Sequence, residues 1–483
     1  MIGAVVCVAM LFALPPAEGD VRLNGLLREL FLANTNPERE VIARKVLEIK
    51  GLTPKKLGEA IRGLQLWAKQ PAGVQQLAIR SPEEGAEEMQ VWVSVPKKYT
   101  PRKRWPVLIA LHGQGGRADA MLAFAQQLLD QRADEFIIAA PQDIGPIGLT
   151  SPVEVVARPR ELISVLRRRF HIDNDRVYLT GYSQGSHDAW MTVIMYPDYF
   201  AGVVPLATPL QVPGGTLLYD ELLPNAQNVP ILFCWGARDN VDEQGKVRED
   251  GGNAALNRKL SELISHLSFR HFEFVEIPGV GHQDVLPPAK QFSALLDRKR
   301  EHYPKLVRQA FRLPLQSDAY WVSADRLSGE PLPDGKLEIP VAQGEDPLAA
   351  EKKWLVGQLG LAEARCDGQT ITLTTRKAGN VIVLLSPDLI DFDKPVTIIR
   401  NNRKRLERKI DPDLRVMLVE AARSWDFDRL PQARLVIPVG GSVKVGYPRL
   451  KVRLDPAEQP EKKGGAEKKV QGKPEEPKGD KKE

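Results

Sequence analysis

The chain has 483 residues, too many for one ordinary domain, so its length predicts two or three domains. Hydrophobic residues make up 43% and charged residues 27%, as in soluble globular proteins. The net charge is only +5, from 67 basic and 62 acidic residues. This near balance argues against a nucleic-acid-binding protein, which concentrates basic charge on one face.

The N-terminal residues 2–14 are almost wholly apolar and are followed by Pro15 and Pro16. A stretch of this length suits the core of a signal peptide and is too short to span a bilayer. We therefore expect a signal peptide over residues 1–19, export to the periplasm or medium, and no membrane span after processing. No Lys or Arg precedes the apolar stretch, so the alternatives are a buried helix or a mis-set start codon, and the latter would leave the protein cytoplasmic.

Residues 20–85 have apolar residues at helical spacing and predict a small helical N-terminal segment. The pattern begins with Leu23, Leu26 and Leu27 and is interrupted near Gly51. The segment could pack on the domain that follows or form a separate helical hairpin.

Residues 86–312 alternate between strand-like and helix-like stretches. Residues 107–111 form a continuous apolar run, typical of a strand buried on both faces, and residues 153–169 have helical spacing. Such alternation predicts an α/β domain with a doubly wound, mostly parallel sheet and helices on both faces.

The alternation stops after residue 312. Strand-like stretches then dominate and predict a smaller β-rich accessory domain over residues 313–455, with helices near 347–358 and 412–425. Residues 456–483 are rich in Lys, Glu, Pro and Gly, and this composition predicts a disordered tail because few apolar groups offset the entropy of ordering.

The pentapeptide GYSQG at residues 181–185 follows a predicted buried strand and precedes a predicted helix. This context is the one that a G-x-S-x-G nucleophile turn requires, because the sharp turn tolerates only small flanking residues. The turn would present the hydroxyl of Ser183 at the carboxyl end of the sheet. We therefore predict that Ser183 is a nucleophile.

A serine nucleophile needs a base that is held by a carboxylate. In this type of sheet the chain order is serine, acid, histidine. Asp239 follows the predicted strand 229–235 and is our candidate acid, with Asp242 in reserve and Asp284 as a weaker choice. His282 follows the predicted strand 272–277 and is the candidate base.

An oxyanion hole needs two backbone N–H groups aimed at the developing charge. Gln184, the residue after the nucleophile, is one candidate donor. The glycine-rich loop after strand 107–111 supplies the other, with Gln114 preferred and Gly113 as the alternative. His112 in the same loop is expected to brace it.

Residues 88–300 resemble the α/β-hydrolase superfamily through the sequences LHGQG at 111–115 and GYSQG at 181–185. These motifs are similar to those of phospholipase/carboxylesterase, dienelactone-hydrolase-like and polyhydroxybutyrate-depolymerase-type esterases. Many of these relatives have a second glycine where this chain has Ser186, and dienelactone hydrolases use a cysteine nucleophile where it has Ser183. The resemblance implies a carboxylesterase-like serine hydrolase that acts on a small-molecule or polymeric ester.

Two rival functions remain open: a serine peptidase of the prolyl-oligopeptidase type, and a non-catalytic binding protein on a hydrolase scaffold. We expect no cofactor and no metal, because no group of His, Asp or Glu has zinc-ligand spacing and no Gly-Lys-Ser/Thr follows the glycines at 113–116. The three cysteines, Cys7, Cys234 and Cys366, do not imply a disulfide framework. No nucleic-acid partner is expected, and the partners of the C-terminal region stay open.

Overall fold

The computed structural model describes residues 18–80, 87–142, 144–210, 219–240, 246–337, 339 and 343–447. The expectations for the tail at 456–483, for most of the signal peptide and for Asp242 lie outside these residues. None of the described helices is both long and apolar enough to cross a membrane.

Three short helices begin the described chain: α1 (Glu18–Leu32), α2 (Asn36–Leu47) and α3 (Pro54–Arg62). The side chain of Thr35 accepts a hydrogen bond from the backbone of Glu38, whose own side chain reaches back to Thr35, so a capping box starts α2. The side chain of Thr53 caps α3 by accepting a hydrogen bond from the backbone of Lys56, and proline occupies the first helical position.

The expectation of helix over residues 20–85 is wrong at its carboxyl end, because residues 73–79 form a strand. This strand pairs antiparallel with the next one over seven residue pairs, from Gly73 opposite Val95 to Ile79 opposite Met89. Leu77 and Ile79 are buried and alternate with an exposed Ala78, which is a strand pattern too short to stand out in the sequence. Pairing with a neighbour therefore decided the conformation of this stretch.

The large sheet has eight strands in the order β1-β2-β4-β3-β5-β6-β7-β8. Strand β2 pairs antiparallel with both β1 and β4, and the remaining neighbours are parallel. Its strands are β1 (Gly73–Ile79), β2 (Met89–Val95), β3 (Trp105–Leu111), β4 (Ile137–Pro141), β5 (Ile172–Tyr182), β6 (Gly202–Leu206), β7 (Ile231–Gly236) and β8 (Phe272–Ile277).

Helices cover both faces of this sheet, so the predicted doubly wound α/β fold is confirmed. They are α4 (Ala118–Leu129), α5 (Val153–Arg169), α6 (Gln184–Met195), α7 (Tyr219–Leu222), α8 (Gly252–Ser265) and α9 (Ala289–Leu296). Strand β3 shows the two faces: Val107 and Ile109 belong to the cluster under α5, α6 and α8, whereas Leu108 and Ala110 belong to the cluster under α4 and α9.

The C-terminal region forms two smaller sheets and two helices. A five-stranded sheet has the order β15-β14-β12-β11-β9, and a four-stranded sheet has the order β10-β13-β16-β17. The elements are β9 (Leu306–Phe311), β10 (Val322–Ala324), α10 (Pro347–Gln358), β11 (Gly360–Asp367), β12 (Thr370–Arg376), β13 (Val381–Leu385), β14 (Val396–Arg400), β15 (Arg403–Arg408), α11 (Leu414–Ser424), β16 (Ala433–Ile437) and β17 (Lys444–Val445). Because β9 belongs to the five-stranded sheet, the boundary expected at residue 312 falls one strand too late.

The N-terminal helices pack against α11 in the C-terminal region. Leu30, Phe31 and Ile61 share one apolar cluster with Met417 and Trp425. Part of the segment also packs on the domain that follows, since β1 pairs with β2, as one of the two sequence-based alternatives expected. The packing of its helices on the C-terminal region was not expected.

Buried ion pairs link the C-terminal region to the eight-stranded sheet. Arg300 lies 2.6 Å from Asp426, and Arg429 lies 2.6 Å from Asp198. Burial alone would raise the pKa of Asp426, but the surrounding arginines, Arg300 foremost, hold it below its ordinary value. The two regions are thus joined by charges that would be costly to separate.

Candidate active site

The backbone at Ser183 makes a sharp turn between β5 and α6. Ser183 has a φ of 56°, in a region that residues other than glycine rarely adopt. A Cβ atom on Gly181 would lie 1.9 Å from the carbonyl oxygen of Gly185, and one on Gly185 would lie 2.2 Å from that of Leu111. Glycine is therefore required on both sides of the serine, as the pentapeptide predicts.

Ser183, His282 and Asp239 form one hydrogen-bonded chain. Nε2 of His282 lies 2.9 Å from Oγ of Ser183, and Nδ1 of His282 lies 2.8 Å from Oδ2 of Asp239. The Asp239 side chain is 5% exposed and the His282 side chain 32% exposed. The carboxylate is thus shielded, while the imidazole and hydroxyl are accessible from solvent. This arrangement can move a proton from the serine to the imidazole.

Neighbouring strands bring the acid and the base together. Asp239 follows β7 and His282 follows β8, and these two strands pair in parallel. A Cβ atom on Gly236 would lie 2.1 Å from the carbonyl oxygen of Gly281, so the end of β7 packs directly against the loop that carries His282. Of the two alternative acids, Asp284 is exposed and Asp242 lies outside the described residues.

Two further residues hold this arrangement, and the sequence analysis did not identify them. The Tyr182 hydroxyl donates to the carbonyl oxygen of His282 at 2.7 Å and accepts from the backbone N–H of Val285 at 3.1 Å. Asn253 Nδ2 donates to Oδ1 of Asp239 at 3.4 Å. Tyr182 lies inside the recognised pentapeptide, so its position was a usable signal, whereas nothing in the sequence indicates Asn253.

The loop after β3 lies against the nucleophile. A Cβ atom on Gly113 would be 3.1 Å from Cβ of Ser183 and 3.2 Å from the carbonyl oxygen of Tyr182. Gln114 follows on the same loop, and Gln184 is the first residue of α6. Gly113, the alternative donor, therefore lies against Ser183, and Gln114 and Gln184 line one cavity beside it. The identity of the residues that donate hydrogen bonds to an oxyanion stays a prediction.

His112 holds this loop in place. Its Nδ1 lies 2.8 Å from the carbonyl oxygen of Gly113, and its Nε2 is hydrogen-bonded to the carbonyl oxygen of Gln142. Gln142 in turn accepts from the backbone N–H of Ala118 at 2.9 Å and donates to the carbonyl oxygen of Gly116 at 3.2 Å. These contacts are those of a bracing residue.

A cavity of about 280 Å³ opens beside this loop. Its described lining residues are His112, Gly113, Gln114, Gly115, Pro141, Gln142, Ile144, Gly145, Pro146, Gln184 and Asp188. Burial raises the pKa of Asp188 to about 6 and lowers the pKa of the adjacent His187 to about 4. Asp188 was missed in the sequence because a single acid on a helix carries no distinguishing pattern.

One group of three acids in the described chain could hold a metal ion by distance: Asp173, Asp175 and Asp428. Basic side chains already contact each of them. Arg176 pairs with Asp173, Arg300 and His302 pair with Asp175, and Arg104 pairs with Asp428. The group is therefore accounted for by ion pairs, and the expected metal-free mechanism stays a prediction.

No family model matches the chain. Among curated proteins, the esterase NocK of Nocardia uniformis subsp. tsuyamanensis is 27% identical over 143 residues, which are 28% of this chain and 40% of that protein. The poly(3-hydroxyalkanoate) depolymerase C of Paucimonas lemoignei is 29% identical over 116 residues, or 21% of this chain and 27% of that protein. The chain thus spans less than half the length of either relative.

Two solved structures resemble part of the chain. A thermostable esterase is 18% identical with a TM-score of 0.37, covering 47% of this chain and 63% of that one. A ferulic acid esterase from Anaeromyces mucronatus is 20% identical with a TM-score of 0.36, covering 48% of this chain and 93% of that one. Each of these two likenesses covers less than half of the chain.

Proposed function

We propose that the protein is a serine hydrolase that cleaves carboxylic esters through an acyl-enzyme. The observation that carries this proposal is the hydrogen-bonded chain from Ser183 through His282 to Asp239, set at the end of the sheet beside the Gly113 loop. The names of the two curated relatives support an ester as the substrate.

In the first half of the reaction, His282 Nε2 accepts the proton of Ser183 as Oγ attacks the ester carbonyl carbon. The carbonyl oxygen becomes an oxyanion, which backbone N–H groups of the Gly113–Gln114 loop and of Gln184 stabilise. His282 then gives the proton to the leaving alcohol as its C–O bond breaks. Asp239 keeps the imidazole oriented and stabilises its protonated form.

In the second half, water attacks the acyl carbon and His282 accepts one of its protons. A second oxyanion collapses, the bond to Oγ breaks, and the proton returns to Ser183. The carboxylic acid leaves and the enzyme is restored. No group beyond water and the chain's own residues is needed for this balance.

The proposal is tested by the hydrolysis of p-nitrophenyl butyrate. We expect the wild-type protein to turn it over and Ser183→Ala to lose on the order of 10⁴-fold or more in kcat, because the nucleophile is gone. Ser265→Ala, which removes an exposed serine at the end of α8, serves as the matched control and should keep the wild-type rate. A folded Ser183→Ala protein with the wild-type rate would refute the proposal.

The two rival functions give different results in the same assay. A peptidase would cleave a panel of peptide p-nitroanilides faster than the ester, with the same loss in Ser183→Ala. A non-catalytic binding protein would cleave neither substrate although its fold is intact.

A further inference from the structure

The cavity beside Ser183 shares its wall with the candidate catalytic centre. Gly113 touches Ser183, Gln184 follows it, and both also line the cavity. A substrate whose carbonyl oxygen lies between these two residues must therefore extend one of its parts into or past the cavity. Ile144, Gly145 and Pro146 also line the cavity, and they begin residues 144–151, a segment that we call the pocket loop.

Asp188 is the only acidic residue among the described residues that line this cavity, and they include no Lys or Arg. It lies on α6 and is 4% exposed. Its described hydrogen bonds both end at Oδ1, from the backbone N–H of Ile147 at 2.8 Å and from Gln184 Nε2 at 3.2 Å. Within the described contacts, Oδ2 remains as an acceptor for a bound molecule.

Glycine at position 145 leaves space around Asp188 Oδ2. A Cβ atom there would lie 2.9 Å from Asp188 Oδ2, so any larger residue would press on the carboxyl group. Among the described residues, two histidines are the titratable groups that face Asp188. His187, its neighbour on α6, is neutral near pH 7 because burial lowers its pKa to about 4, and His112 lies across the cavity.

We propose that Asp188 is a specificity-determining residue and that the cavity takes the part of the ester that carries a hydrogen-bond donor, a hydroxyl or an ammonium group. Oδ2 accepts the hydrogen bond, while Oδ1 stays bound to the pocket loop. A carboxyl group in a confined site favours a donor and disfavours a bare alkyl group, which would leave it desolvated and unpaired. This proposal rests on the proposed ester hydrolysis and names its substrate class.

The test compares matched ester pairs by kcat/KM. On the acyl side they are p-nitrophenyl 3-hydroxybutyrate against p-nitrophenyl butyrate, and the p-nitrophenyl esters of β-alanine and propionate. On the alcohol side the pair is 2-hydroxyethyl butyrate and ethyl butyrate. We expect the wild-type protein to prefer the donor-bearing member of at least one pair about tenfold or more.

Asp188→Asn is the informative variant, because its amide oxygen can keep the two bonds made by Oδ1 while the other position becomes a donor. We expect it to bring the preferred ratio close to one, because the donor-bearing ester loses its acceptor. Asp119→Asn, which removes an exposed carboxylate on α4, controls for net charge and should keep the wild-type ratio. A ratio near one for every pair in the wild type, or an unchanged ratio in Asp188→Asn, would overturn the proposal.

Binding to the Ser183→Ala protein separates this proposal from the proposed reaction. Calorimetry with 3-hydroxybutyramide, β-alaninamide and butyramide measures the preference without turnover. We expect one of the donor-bearing amides to bind at least tenfold more tightly than butyramide, and Asp188→Asn to abolish the difference. Equal affinity of the three amides would overturn the donor preference even if ester hydrolysis stands. A donor preference without any ester hydrolysis would sustain the cavity's role and refute the reaction.

Discussion

The two sides of Ser183 are built differently. On one side, Asp239 and His282 follow two adjacent parallel strands, β7 and β8, so the topology of the sheet alone brings them together. On the other side, the pocket loop is held by residues far away in sequence. The chemistry is therefore encoded by local patterns at strand ends, whereas the shape of the cavity depends on the whole fold.

Arg312, which follows β9, shows how the C-terminal region holds the pocket loop. It is 3% exposed and donates to the carbonyl oxygens of Ser151 and Leu332, each at 2.7 Å, and it pairs with Asp334. The backbone N–H of Gly335 donates to the carbonyl oxygen of Thr150 at 2.9 Å. The C-terminal region thus holds the far end of the pocket loop, whose first three residues line the cavity.

The largest effect should come from the base on the triad side. His282→Ala removes the only group placed to accept the Ser183 proton among the described residues. We expect kcat/KM for p-nitrophenyl butyrate to fall on the order of 10⁴-fold or more, with an unchanged circular dichroism spectrum. Wild-type turnover by the folded variant would remove His282 from the mechanism.

Asp239→Asn should have the next largest effect. The asparagine amide can donate to Nδ1 of His282 and so favour the tautomer that carries the proton on Nε2, which cannot accept the serine proton. We expect kcat to fall about 10²- to 10⁴-fold. Asp284→Asn, a change at an exposed carboxylate on the same side, should lower kcat far less. Equal losses of kcat in the two variants would contradict the assignment of Asp239 as the acid.

Arg312→Met tests the pocket loop, which lies on the side of Ser183 away from the triad. It leaves the carbonyl oxygens of Ser151 and Leu332 without their buried donor, so we expect the free energy of unfolding to fall by about 2–4 kcal/mol in urea titrations. Because the pocket loop loses its support and the triad does not, KM should rise several-fold with little change in kcat. Lys336→Met, at an exposed position nearby, should alter neither quantity. A fall in kcat at constant KM would contradict the claim that the pocket loop affects substrate binding and leaves the triad unchanged.

A further effect concerns stability and pH at Asp188. Its pKa is raised from 3.8 to about 6 by burial, so its stabilising contribution is complete below about pH 3.8 and is lost as the pH rises through 6. The free energy of unfolding of Asp188→Asn does not show this loss, because asparagine does not titrate. The titration of His187 affects both proteins equally. The variant should therefore gain stability relative to the wild type between pH 4 and pH 8, by on the order of 3 kcal/mol. Parallel stability curves for the two proteins would contradict the raised pKa of the buried Asp188 carboxyl group.

The sequence predicted the features that depend on short-range patterns. The glycines around Ser183 and the acid and histidine after successive strands mark the candidate triad, because each position is fixed by its own strand. Strand β1 was missed since only its pairing with β2 makes it a strand. Asp188 and Arg312 were missed because their partners are tens to more than a hundred residues away in sequence, and no local pattern records such contacts.

Labelling with a fluorophosphonate probe tests the central claim most directly, because the probe reacts only with a serine activated by its base. The account predicts that the wild-type protein is labelled at Ser183, as located by mass spectrometry of the peptide, and that His282→Ala and Ser183→Ala are not labelled. Labelling at another serine, or none in the folded wild-type protein, would contradict it.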